Sequence, residues 1–175
     1  MSSPASHSPN LSIGELLTRE HHEIDAGIEA FVAGTENGGG PANATGNWTL
    51  PLLGAMTALR RHIYLEERFL FPPIRAAGLI LPIMVMLREH GELWRAMDQL
   101  GAALEESMDD PGQRNELVTR CRAMLELLKA HNSKEEPIVY TRAAVDLPEP
   151  ARAELAHFLR TDRTPPGWVC ERAAG

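Results

Sequence analysis

Apolar side chains recur at alternating spacings of three and four along four long stretches of this chain, the pattern of helices that each bury one face. The stripes run through Leu17, His21, Ile24, Ile28 and Phe31; through Leu52, Ala55, Leu59, His62, Glu66 and Phe69; through Ile83, Met86, His90, Leu93, Met97, Leu100 and Leu104; and through Cys121, Met124, Leu128, His131, Glu135 and Ile138. Strand signals are absent. Ser12 and Glu15 form a capping box flanked by the Leu11/Leu16 staple, so the first helix is expected to start there and to run to about Phe31. A Gly-rich stretch over 34–47 joins it to a second helix from about Thr49 to Phe71, which Pro72 and Pro73 are expected to end. Pro82 suits the first turn of a third helix reaching about Ser107. Asp109, Asp110 and Pro111 cap and start a fourth, ending near Pro137. Asp146, Pro148 and Glu149 announce a short fifth helix through about Leu159, followed by an irregular segment. The expected fold is all-α: an up-down-up-down antiparallel four-helix bundle over 12–145, with a mobile tail over 1–11 and a short extra C-terminal helix and irregular tail over 146–175.

Length and composition narrow the classes without choosing a function. At 175 residues the chain has the size of one domain. Its formal charge of −7 opposes nonspecific binding to nucleic acid or to an anionic membrane. Two distant cysteines, Cys121 and Cys170, make no disulfide framework, which suits a reducing compartment. No apolar run reaches the roughly 18 residues of a membrane span, and residues 1–10 lack the pattern of a secretory signal. A soluble, cytoplasmic protein is expected. The N-x-[ST] triplets at Asn10, Asn43 and Asn47 read as chance matches.

Chemistry enters where the apolar stripes are interrupted. His21, His62, Glu66, His90, His131 and Glu135 all fall in phase with the buried positions, whereas His22, Glu67 and Glu136 fall beside them. The pairs His62/Glu66 and His131/Glu135 share an H-x-x-x-E spacing that sets imidazole and carboxylate on one helix face, about 6 Å apart along the axis. Each His is followed nine residues later by an aromatic, Phe71 and Tyr140, a weak internal repeat that suits a two-centre site. Two buried carboxylates repel each other and cost several kcal/mol each when unpaired, and no Arg or Lys lies on the stripes to neutralise them. Two divalent cations remove both penalties and use the four imidazoles as ligands. A single His on an apolar face is ordinarily a hydrogen-bonded core residue. Six such groups in phase on four helices favour metal. Trp94 reads as core ahead of a pocket wall, Tyr140 as an amphipathic boundary residue ahead of an electron or hydrogen-bond donor at the site edge, Cys121 as buried packing, and His7 and His157 as surface histidines.

The segments EHHEIDAGI, HIYLEERFLFP, REHGELW and HNSKEEPIVY, taken in order, resemble the hemerythrin-like (HHE cation-binding) family of four-helix non-haem di-iron proteins. That resemblance implies two iron ions, oxo- or hydroxo- and carboxylate-bridged, held by His21, His62, His90 and His131, with Glu66 and Glu135 between them. Oxygen-carrying members have a further His one turn before the position of His90. Here it is Met86, a poor ligand for ferric iron. Water, a small substrate or a carboxylate such as Glu89 is left to fill that place. The resemblance implies binding of dioxygen, nitric oxide or iron in redox or nitrosative stress defence or sensing. Two alternatives stay open: a redox enzyme acting on peroxide or oxygen, and an iron donor for iron–sulfur cluster repair. The partner in the first two cases is a small diatomic ligand or peroxide.

Overall fold

In the computed structural model, the described residues are 11–38, 48–107, 110–161 and 163–174. Residues 1–10 of the expected tail, with His7, most of the Gly-rich stretch and Asp109 lie outside them. Among the described residues there is no strand. The helices are α1 (Ile13–Glu36), α2 (Leu50–Leu65), α3 (Phe71–Ala76), α4 (Ile80–Ser107), α5 (Pro111–Glu135), α6 (Thr141–Asp146) and α7 (Glu149–Thr161). A π turn over Glu66–Leu70 joins α2 to α3, and a second over Glu136–Tyr140 joins α5 to α6. Four long rods therefore form the bundle, α1 against α2 and α5, and α4 against α5 and α2, with α7 added against the first π turn.

Local chemistry accounts for the boundaries. Ser12 Oγ accepts from the Glu15 amide at 3.2 Å while Glu15 Oε2 accepts from the Ser12 amide at 2.7 Å, the reciprocal cap expected for α1. Asp110 Oδ1 accepts from the Gly112 amide at 2.8 Å and caps α5. Two expectations need correction. The first helix continues past Phe31 to Glu36. Pro72, Pro73 and Pro137 do not end their rods, which run on to Ala76 and Asp146. In each case a π turn adjoins or contains the proline, and its wider ring, closed in the first by the Phe71 amide on the Glu66 carbonyl, relaxes the backbone pairing that a proline disrupts in a regular helix.

The π turns also move the buried stripe. Every expected stripe residue before them is buried, but Phe69 is only partly covered and Ile138 is 42 % exposed, while Leu70 and Val139 are fully enclosed. A π turn inserts one extra residue, so the apolar phase slips by one on both rods.

The core divides into two apolar clusters. One holds Ile24, Leu59, Leu93 and Leu128, and the other holds Leu17, Leu70, Met86 and Val139. On each rod the charged and imidazole residues fall between members of the two clusters, so a polar layer crosses the bundle with apolar packing above and below it. Met86 packs as a core residue, and Trp94 does so too, edge-on to Trp168 at 5.5 Å. No helix among the described residues is long and apolar enough to cross a membrane.

Candidate metal centre

All six expected side chains meet in that layer, and none is more than 4 % exposed. Two four-membered groups result, each with ligand atoms within 4.8 Å of one another: His21, His62, Glu66 and Glu135, and Glu66, His90, His131 and Glu135. The two carboxylates belong to both. Glu66 turns Oε1 to His62 Nε2 at 3.2 Å and Oε2 to His90 Nε2 at 3.2 Å, so its two oxygens reach into different halves. Glu135 Oε2 lies 3.1 Å from His131 Nε2 and 3.4 Å from His21 Nε2. The H-x-x-x-E spacing brings imidazole and carboxylate together within a rod, and bundle packing brings the rods together.

Four further glutamates hold the imidazoles from outside. Glu20 meets His62 Nδ1 at 2.7 Å, Glu67 meets His90 Nδ1 at 3.0 Å, Glu89 meets His131 Nδ1 at 3.0 Å, and Glu136 meets His21 Nδ1 at 2.9 Å. Each contact runs from one rod to the next, from α1 to α2, from the first π turn to α4, from α4 to α5 and from the second π turn back to α1, closing a ring around the bundle. With Nδ1–H donated outward, every Nε2 is turned inward as a potential donor to a cation. Phase on the apolar stripe could not find these glutamates, because they sit one residue off it. Adjacency could have: each is the immediate neighbour of a stripe His or Glu. Glu89 is not free to take the place opposite Met86, since its oxygens are engaged by His131 and Lys134.

Tyr140 is the larger surprise. Rather than a boundary residue, it is buried, and its phenol oxygen stands 2.6 Å from Glu66 Oε1, 2.9 Å from His21 Nε2, 3.0 Å from His62 Nε2 and 3.3 Å from Glu135 Oε2. The second π turn supplies this position. Gly14 makes room for it, because a Cβ there would lie 3.3 Å from Tyr140 Cβ. On the solvent side, Tyr140, Glu136 and His22 line a cleft of about 570 Å³ between α1 and α6.

Protonation balances the ion-free layer. Burial alone would raise Glu66, but the charge and hydrogen bond of His62 and the nearby His90 imidazole hold its carboxyl well below the usual range. Burial and the Glu66 charge push Glu135 up, yet His131 and His21 bring it down to about 2. Burial works against the charged form of His62 and His131, and Glu66 with Glu20, or Glu135 with Glu89, overcomes it and raises each to about 10. Tyr140 is driven well above its ordinary value by burial and by Glu135 and Glu66. These protons occupy places that a cation takes by displacing them. Not every atom is satisfied: Glu66 Oε2 and His90 Nε2 face each other at 3.2 Å without forming a hydrogen bond, and Glu135 Oε1 is buried without a hydrogen-bond partner. Each orphan is a good donor to a hard or borderline cation, so the donor set fits metal.

Among family models, the hemerythrin HHE cation-binding domain matches residues 12–143. No curated protein and no solved structure matches the chain.

Proposed function

Because the chain belongs to the hemerythrin family of HHE cation-binding domains, we propose that it holds two iron ions on His21, His62, His90 and His131, with Glu66 and Glu135 shared between them, and serves to bind dioxygen or nitric oxide or to hold iron in redox or nitrosative stress defence. The observation that carries this reading is the pair of donor groups with both carboxylates in common and three of their buried atoms without a hydrogen bond. When bound, two irons supply one-electron redox chemistry and positions for a small diatomic ligand. The chain's own residues do the rest. Glu20, Glu67, Glu89 and Glu136 keep the imidazoles turned inward, and the apolar clusters on either side exclude bulk water. Two carboxylates offset half the charge of two divalent ions, leaving room for an anionic or electron-rich guest.

Metal analysis of the purified chain, followed by anaerobic reduction and absorption spectra on adding oxygen, nitric oxide or peroxide, tests the proposal. A persistent adduct with oxygen or nitric oxide is expected. Rapid peroxide turnover would move the assignment to a redox enzyme. Loading with zinc alone from iron-rich cells would sink it. Glu66→Ala and Glu135→Ala are each expected to lose one ion, and retention of two in either variant contradicts the shared-carboxylate role.

A further inference from the structure

Resting on that two-iron reading, we propose that Tyr140 is a seventh protein ligand, on the ion held by His21 and His62, and that the open position of the pair lies on the other ion, beside His90. Ligand atoms about 2.1 Å from one ion and at right angles to each other are about 3.0 Å apart. The phenol oxygen lies 2.6 to 3.3 Å from one donor atom on each of His21, His62, Glu66 and Glu135. Those separations suit a corner of the coordination shell. An oxygen standing at its centre would be nearer to all four. On ligation one O–H bond is exchanged for one iron–oxygen bond, and the proton is released to solvent.

The internal repeat explains why the two halves differ. Tyr140 and Phe71 each stand nine residues after the His of an H-x-x-x-E pair, each at or just after the end of a π turn. Tyr140 stacks on His21 with ring centres 5.4 Å apart, and Phe71 stacks on His90 at 5.2 Å. The aromatic lids are therefore equivalent except for one oxygen atom. His90 Nε2, which has no hydrogen bond, belongs only to the donor group that Phe71 covers, and Glu66 Oε2, also without one, faces it at 3.2 Å. Met86 adds no strong donor there.

The chain has two tyrosines, and Tyr64 packs away from the layer against Phe69, Phe158 and Trp168. The full chain is loaded with ferrous iron without oxygen, oxidised with ferricyanide, assayed for iron and examined by resonance Raman spectroscopy with visible excitation. Two irons and enhanced tyrosinate ring modes are expected in the native protein and in Tyr64→Phe, with loss of those modes and retention of iron in Tyr140→Phe. Phe71→Tyr is expected to block azide binding. Absence of tyrosinate modes from native protein carrying two irons, or their persistence in Tyr140→Phe, overturns the ligand assignment while leaving the two-iron reading intact. Unchanged azide binding in Phe71→Tyr overturns the placement of the open position. Failure of the native chain to take up iron overturns the two-iron reading itself, and the iron assay separates that result from the others.

Discussion

Four imidazoles are fixed by four carboxylates that sit one residue away from the six inner positions, and this division of labour decides what single substitutions do. Glu136 has one side-chain partner among the described hydrogen bonds, His21 Nδ1 at 2.9 Å. Glu136→Ala is expected to leave the fold intact and to weaken metal binding about 10- to 100-fold, because an unheld imidazole loses orientation and basicity. Competition with a chelator of known affinity measures this, and an unchanged midpoint would show that the outer carboxylate is incidental. The six inner positions were legible in the sequence because burial follows helical phase. The outer four were not, because which neighbouring rod an off-phase carboxylate meets is a matter of packing.

The two π turns act at the scale of the element. Each slips the apolar phase by one residue, which puts Val139 rather than Ile138 inside and aims Tyr140 at the layer. Deleting Ile138, which is 42 % exposed, should return this turn to α geometry while Val139 and Ala143 keep facing the core. Deleting Leu127, 38 % exposed in regular helix, instead rotates one half of α5 by about 100° against the other. Cooperative urea unfolding followed by circular dichroism is expected to survive the first deletion and to be lost with the second. Equal damage from both would show that the π turn is not an inserted residue. A strict three-and-four trace has no means of anticipating such an insertion, although the prolines beside both turns mark where regular pairing is weakest.

At the scale of the whole molecule, charge and the C-terminal segment tie the layer to the rest of the chain. In the ion-free protein His62 and His131 titrate at about 10 against an ordinary 6.5, so their contribution is complete below pH 6.5 and is lost as pH rises toward 10. Glu135 titrates at about 2 against 4.5, so its contribution is complete above pH 4.5 and fades as pH falls toward 2. Thermal midpoints measured in chelator should therefore be highest between pH 4.5 and 6.5. A maximum near pH 9 would mean that the imidazoles are neutral without metal. The segment after α7 is irregular in backbone, as expected, yet it packs firmly. Cys170 is buried, and the Glu171 amide donates to Glu67 Oε2 at 2.9 Å, behind His90. Gly91 permits this, since a Cβ there would come within 2.8 Å of Arg172 Cβ. Gly91→Ala is expected to lift the segment and to expose Cys170, whose thiol burial pushes up to about 11, to alkylation followed by mass spectrometry. Labelling as slow as in the native chain would show that the segment yields without detaching.

Helix content, the bundle and the six inner His and Glu residues were determined by the sequence alone, because a helix of fixed pitch translates spacing directly into burial. Other features were settled only in three dimensions: the ring of outer glutamates, the engagement of Glu89 away from Met86, the return of the C-terminal segment to Glu67, and the phenol of Tyr140 within one half of the layer. Each depends on contacts between rods or on a local change of pitch, and neither is written in the period of a single helix.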